Sequence, residues 1–471
     1  MLAHNFFKLN NRLVKAPLTG LFFLFLGVAL FLLPFKAGAD VSVVVKDIRV
    51  GLALKTLVQD FSVTGEYRVL DAVTGSEVAV ARAGERWQAR FDGGRIELLR
   101  DGESLGRFDN PVVLKESARS ILAISAGGSL TGIGPGRPAV EAAGGETGRL
   151  DSDLSGYRVL TGDGQSALRG TTGQNLLALS NGGASRKYRG DLEFRAFSDG
   201  MAVINQLPLE EYLYGVVPGE MPSSWPEEAL KAQAVTARSY AMAQMTAGAY
   251  SSYGFDVLAG QQSQVYQGYD AENQKVKDVV DQTRGRVLTC RGIVITAFFH
   301  SCSGGYIENS EDVWQNPLEY IKVKPDPADI NDKYYHWEKA YDQTQLVDQL
   351  RQKGYSFSSI SDVVEIARTS SGARVKKVAV TGLDAGGLPA RVEICNADSV
   401  RSAFGLNSSL FEMEVEKDEQ DSLSRIVFCG SGLGHGLGMS QYGALGMAGE
   451  GYNYQDILKY YYTDVDIDLL Y

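Results

Sequence analysis

Apolar and polar positions alternate in short bursts through the first part of the chain and take up helical spacing only near its middle. Val41-Ser-Val-Val-Val45, Tyr67-Arg-Val-Leu70 and Arg95-Ile-Glu-Leu-Leu99 are β-branched or aliphatic runs separated by Gly and Asp, the pattern of short strands. Gly127 to Gly170 is rich in Gly, Ser and Ala and weakly patterned, a loose insertion or a linker-like excursion. Tyr188 to Arg195 and Met201 to Asn205 then predict a hairpin. Beyond it, Leu230, Ala234, Ala237 and Ala241 recur on one helical face, and the small alanines predict close packing against a neighbour. Ser224-Trp-Pro-Glu227 reads as a capping box opening that helix, with Pro226 in its first turn. Lys231 is spaced to pair with Glu227 at i,i+4. Ile293 to Phe299 is a further strand-like apolar run.

One apolar stretch differs from the rest. Leu21 to Leu33 is continuous, shorter than a membrane span needs, and lies behind Lys8, Arg12 and Lys15. It ends at Pro34, and Ala37-Gly-Ala39 follows. That order predicts a signal peptide over residues 1–39, cut before Asp40. The competing reading is an uncleaved leader, which would be the chain's contact with the membrane. Both readings export the protein to the periplasm or cell envelope. The remaining length fits two domains. The patterning predicts a β-rich accessory module over 40–187 and a main domain over 188–471. The fold class is α+β: a mostly antiparallel sheet with a few helices in the main domain.

Charge narrows the partners. The chain carries 46 Lys+Arg against 57 Asp+Glu, a net charge of −11. Without the four basic residues of the leader, the balance is 42 against 57, about −15. A nucleic-acid partner needs a basic footprint and is excluded. The four cysteines, Cys290, Cys302, Cys395 and Cys429, all lie in the C-terminal half. In an exported chain they permit two disulfides, in any of three connectivities, or remain as buried thiols.

The candidate chemistry centres on Glu220, in Leu207-Pro-Leu-Glu-Glu-Tyr-Leu-Tyr-Gly-Val-Val-Pro-Gly-Glu-Met-Pro222. It is a lone carboxylate among Leu, Val, Met and Pro, placed by the pattern in a loop just ahead of the helix. Apolar surroundings favour the protonated form, as a general acid for glycosidic cleavage requires. The alternative is a solvent-facing loop residue. A Ser-His-Asp triad is disfavoured, because no Gly-x-Ser-x-Gly elbow marks a nucleophile.

Four ordered blocks decide between these readings. Leu207 to Met245 resembles the SpoIID/LytB family of bacterial cell-wall proteins. Gln264-Val-Tyr-Gln-Gly268, Phe299 to Trp314, and Gly434-His-Gly-Leu-Gly-Met-Ser-Gln-Tyr-Gly443 match the same family in the same order. The resemblance implies a lytic transglycosylase acting on peptidoglycan glycan strands; in the sporulation members the preferred glycan is already stripped of its stem peptides. It places the family's catalytic glutamate on Glu220, which stands in the Glu-Met-Pro element. LytB-type members are described as amidase enhancers, so a non-catalytic partner of a cell-wall amidase is the alternative. Arg238, His300, Ser301, His435, Ser440 and Gln441 are the candidates for orienting the sugar. The alternate glycines from Gly430 to Gly438 read as a bare-faced extended strand around His435 that a ligand or another backbone can approach. Some family members bind zinc through His and Cys just before the Gln-Val-Tyr block. Asp256 to Gln264 carries neither, so no metal and no cofactor is expected.

Overall fold

The computed structural model describes residues 47–117, 175–329 and 334–471, with the backbone of six short strands between Ile121 and Leu168. The leader expected over 1–39 lies outside these residues, as do the side chains of the Gly-rich excursion. Alternating strands pair into two antiparallel sheets. One orders Val257–Leu258, Asp47–Thr56, Met201–Pro208, Asp191–Ala196, Val112–Glu116, Glu66–Asp71 and Glu77–Arg82, with only the two-residue edge strand running parallel. The other orders Ala184–Tyr188, Leu177–Asn181, Val58–Val63, Trp87–Asp92, Arg95–Arg100 and Glu103–Phe108. Their inner faces meet where Phe61 of the second sheet lies 5.1 Å from Phe194 of the first. The fold is α+β with a β-rich N-terminal part, as the patterning predicts.

Met201–Pro208 is apolar without alternation because both of its faces are covered. Met201 and Val203 belong to the sandwich core, while Ala202 and Ile204 pack on Phe255. Its register with the first strand, Ile48 opposite Leu207 and Val50 opposite Asn205, carries strands from both sides of position 187 into one sheet.

The helix Glu227–Ala247 buries Leu230, Ala234, Ala237 and Ala241, the face the spacing predicts. Its start differs from expectation. Pro226 is the N-cap, and no side chain caps the helix. Lys231 pairs with Glu228 at i,i+3 rather than with Glu227. A capping box does occur further on, at Asp342 and Gln345, opening the helix Gln343–Gln352. That helix covers a second core. Leu346, Phe357, Ile360, Val378, Phe404, Phe411 and Phe428 hold together two three-stranded sheets between Trp337 and Gly430. Among the described residues, no helix is long and apolar enough to cross a membrane.

The cysteines follow the buried-thiol reading at Cys290 and Cys302 and depart from it at Cys395 and Cys429. Cys290 is buried, and Cys395 and Cys429 are exposed, all three with free thiols. Cys302 is buried with its Sγ donating to Asp329.

Candidate functional site

Strand Met201–Pro208 runs directly into the helix Leu209–Glu220. Glu210 and Glu211 occupy its first turn, where negative charge complements the helix dipole. Pro222 biases its predecessor out of the α region, and Met221 is extended at φ −129°, ψ 139°. The helix therefore ends on Glu220. The loop expected there is a correction: the chain stays helical through Pro218 and Gly219 to Glu220.

The face of this helix carrying Gly215 and Gly219 has no side chains, and the segment Gln264–Gly268 lies directly on it. A Cβ at Gly219 would sit 2.4 Å from the Val265 carbonyl oxygen, and one at Gly215 would sit 2.7 Å from the Tyr266 ring. The Gln267 amide donates to the Gly215 carbonyl. Tyr266 packs on Tyr212 at 5.0 Å, and Tyr212 donates to the Gln264 side chain. This close approach brings the Val265 N–H within 2.7 Å of Glu220 Oε1. From the far end of the chain, the Gln441 side-chain amide donates to Glu220 Oε2 at 3.4 Å.

Gln441 is set by its own neighbours. It is the first residue of the helix Gln441–Gly449, and Ser440 caps that helix by accepting from the Gly443 amide. Met439 and Ser440 pair in parallel with Phe299 and His300. The Tyr442 amide donates to the Ser301 carbonyl, and the Tyr442 ring meets Trp225 edge-on at 5.0 Å. Two of the other blocks thus reach the Glu220 carboxyl, and the Phe299–Trp314 block holds the second of them in place. Glu220 is partly buried, and that burial raises its pKa, against the relief given by the Val265 amide and Gln441. Among the described residues, no second carboxylate contributes to the shift.

The remaining candidates separate. Arg238 leaves the sugar-orienting set. It is 0% exposed, with Nε and Nη2 donating to both oxygens of Glu210 at 2.8 and 2.7 Å. Ser440 is likewise fully buried, its hydroxyl taken up by the helix cap and Asp329. His300 is buried too. Its Nδ1 meets the Leu437 carbonyl at 3.1 Å, and burial holds its pKa well down, so the neutral ring carries its proton on Nδ1. The Leu437 amide in turn donates to His435 Nδ1 at 3.0 Å. Burial, with Arg401 and Arg374, holds His435 down at about 4 against the pull of Asp398. It is neutral at pH 7, with its proton on Nε2. Two histidines of opposite tautomer thus hold the carbonyl and the amide of one residue, Leu437. His435 is partly exposed and lies 5.2 Å from Trp314, which donates to Asp398. Ser301 is partly exposed and contributes its carbonyl to the turn at Tyr442.

The bare-faced strand expected at Gly430–Gly438 is also corrected. Gly432, Gly434, Gly436 and Gly438 have φ of +84°, +115°, +81° and +67°, so the chain coils. What comes close is the protein itself, since a Cβ at Gly438 would lie 2.0 Å from the Phe298 carbonyl oxygen. Among the described residues, no three His, Cys, Asp or Glu side chains converge on a metal position. A cleft of about 750 Å³ between Trp337, Arg368, Glu412 and Cys429 belongs to the second core and lies apart from Glu220.

The spacing did not reveal the Val265 amide or the buried carboxylates Asp326 and Asp329. The pair Gly215 and Gly219, four apart on a helix, was the available signal for the first. Nothing local marks the second.

Residues 198–290 match the family model described as stage II sporulation protein. Residues 309–438, which hold most of the second core, match a domain of unknown function. The stage II sporulation protein D of Bacillus subtilis is 33% identical over 277 residues, covering 56% of this chain and 75% of that one. An uncharacterized protein of Brachyspira hyodysenteriae is 32% identical over 281 residues, covering 60% and 72%. The amidase enhancer of B. subtilis is 30% identical over 289 residues, covering 53% of this chain and 39% of its own length.

Proposed function

This chain belongs to the SpoIID/LytB family, and on that premise we propose that it is an exported lytic transglycosylase of peptidoglycan glycan strands. The observation that carries this reading is the Glu220 carboxyl, shielded from water and held by two donors from distant segments. Burial keeps it protonated to higher pH, so it can give its proton to the glycosidic oxygen between N-acetylmuramic acid and N-acetylglucosamine. The muramic C6 hydroxyl then attacks C1. Glu220, now the carboxylate, takes the hydroxyl proton, and a 1,6-anhydro end is left. One carboxyl group serves both steps, so the second carboxylate of ordinary glycosidases is not required. Gln441 and the Val265 amide hold Glu220 in place through both. The partly exposed His435 and Ser301 are the groups that orient sugar.

The relative named amidase enhancer supports a second reading, in which the same site grips glycan and the protein stimulates a cell-wall amidase. Mass spectrometry of denuded glycan incubated with the protein separates the two. Anhydro-muramic ends from wild type, absent with Glu220→Gln while glycan binding persists, support the transglycosylase. Turnover should fall as pH rises through the raised pKa of Glu220, because the acid form is lost. Glycan retained without any new ends leaves the enhancer reading in front. Reducing muramic ends would indicate a hydrolase.

A further inference from the structure

Asp326 and Asp329 are 0% and 1% exposed and flank a single helical turn at Pro327–Asp329. Their oxygens are unequally satisfied. Asp329 Oδ2 accepts from the Ser303 and Gly304 amides, from Ser440 Oγ and from Cys302 Sγ. Tyr461 donates to Asp326 Oδ1 at 3.0 Å. Asp326 Oδ2 and Asp329 Oδ1 are buried with no hydrogen-bond partner. Two carboxylates packed away from water cannot both ionise without severe mutual repulsion.

The helix Gln441–Gly449 rests on this pair. A Cβ at Gly443 would lie 2.7 and 2.9 Å from the two Asp326 oxygens. One at Gly446 would lie 2.1 Å from the Ala328 carbonyl oxygen. Ser440, which caps the helix, bonds to Asp329. The next residue is Gln441, the donor to Glu220.

We propose that Asp326, buried beside Asp329 with one oxygen unpartnered, holds a proton, and that this pair is the seat that positions Gln441 against Glu220. The two are positioning residues, remote from substrate. Their effect on turnover rests on the reading of Glu220 as the acid, whereas the Asp326 proton does not. Burial first, and the neighbouring Asp329 second, push Asp326 up to about 7 against relief from Tyr461, Ser303 and the Ala328 amide. The other titratable groups acting on the pair among the described residues are Cys302, Tyr335, Tyr460 and Arg374.

A carboxyl whose pKa is raised on folding stabilises the fold below its unfolded value, and that contribution is lost as pH rises through the folded value. For Asp326 the window runs from about pH 4 to about 7. His300 and His435, both held down, slope the opposite way over part of this range, so the readout is the difference between wild type and variant. Asp326→Asn replaces the Asp326 proton with a permanent N–H. Across the window, the wild-type unfolding constant should rise relative to that of Asp326→Asn by up to about tenfold per pH unit. The infrared difference between wild type and Asp326→Asn at pH 6 should contain a protonated-carboxyl band, one that persists when Glu220→Gln is the background for both.

Identical pH slopes, or an unchanged band, overturn the proposal. So does stabilisation by calcium at pH 8 that Asp326→Asn abolishes, which would put a cation where the proton is placed. If Asp326→Asn does not fold, Tyr461→Phe serves instead. Losing that donor should move the wild-type slope to higher pH, and a slope that does not move counts against the pair. With turnover assayed on denuded glycan, the seat predicts that the wild-type alkaline flank changes shape in Asp326→Asn. Unfolding and infrared readouts need no turnover. An inactive wild type therefore sinks the transglycosylase reading alone, while an active wild type without the proton signature sinks the seat alone.

Discussion

At the scale of single residues, burial decides which polar groups act and which only support. Arg238 and Glu220 stand on consecutive helices, yet Arg238 is closed off by Glu210 while Glu220 keeps some exposure. Arg238→Met should leave the Glu210 charge buried with the Tyr471 hydroxyl, the Gly285 amide and the less direct pull of Arg284 to meet it. Breaking a buried pair this way costs about 3–5 kcal/mol. Urea denaturation checks it, and a variant of unchanged stability but weakened glycan binding would restore Arg238 to the sugar. Sequence cannot make this distinction, because an arginine beneath a catalytic loop and one lining it occupy the same helix.

At the scale of elements, the site depends on how tightly Gln264–Gly268 lies on the helix Leu209–Glu220. Gly219→Ala adds helix propensity worth about 1 kcal/mol. The new methyl nevertheless meets the Val265 carbonyl at 2.4 Å, and backbone cannot rotate out of the way. The segment must shift, and the Val265 amide leaves Glu220. Misplacement by about 1 Å can cost roughly 100-fold in rate. Turnover should therefore fall by about 10- to 100-fold while the circular dichroism spectrum is unchanged. Full activity in Gly219→Ala would remove the Val265 contact from the mechanism. The helix Glu227–Ala247 and its alanine face were legible from their 3.6-residue period. The helical state of Glu220 was not, since Pro218 and Gly219 resemble a loop until the packing on either side is known.

At the scale of the whole molecule, the first strand, Asp47–Thr56, lies between Met201–Pro208 and Val257–Leu258. Ile48 and Val50 are fully buried in the core they share. A fragment beginning at residue 188 would expose that face and leave the main-chain groups of Met201–Pro208 unpaired on one edge. It should show no cooperative unfolding transition by circular dichroism, whereas the chain from residue 40 should. A fragment that melts cooperatively would make residues 40–187 a separable module.

By itself the sequence determined the local quantities: strand alternation, the alanine face of the long helix, the four family blocks, and a glutamate set among apolar residues. These depend on neighbours a few positions away, and periodicity reports them directly. Only the tertiary structure decided which distant groups share a site. The Val265 amide comes to Glu220 across 45 positions and Gln441 across 221. Asp326 and Asp329 lie buried beneath helix Gln441–Gly449, which is more than 110 positions further along the chain. Such contacts are set by which backbones can approach each other and by what remains hydrated, and neither is written in the spacing of residues along the chain.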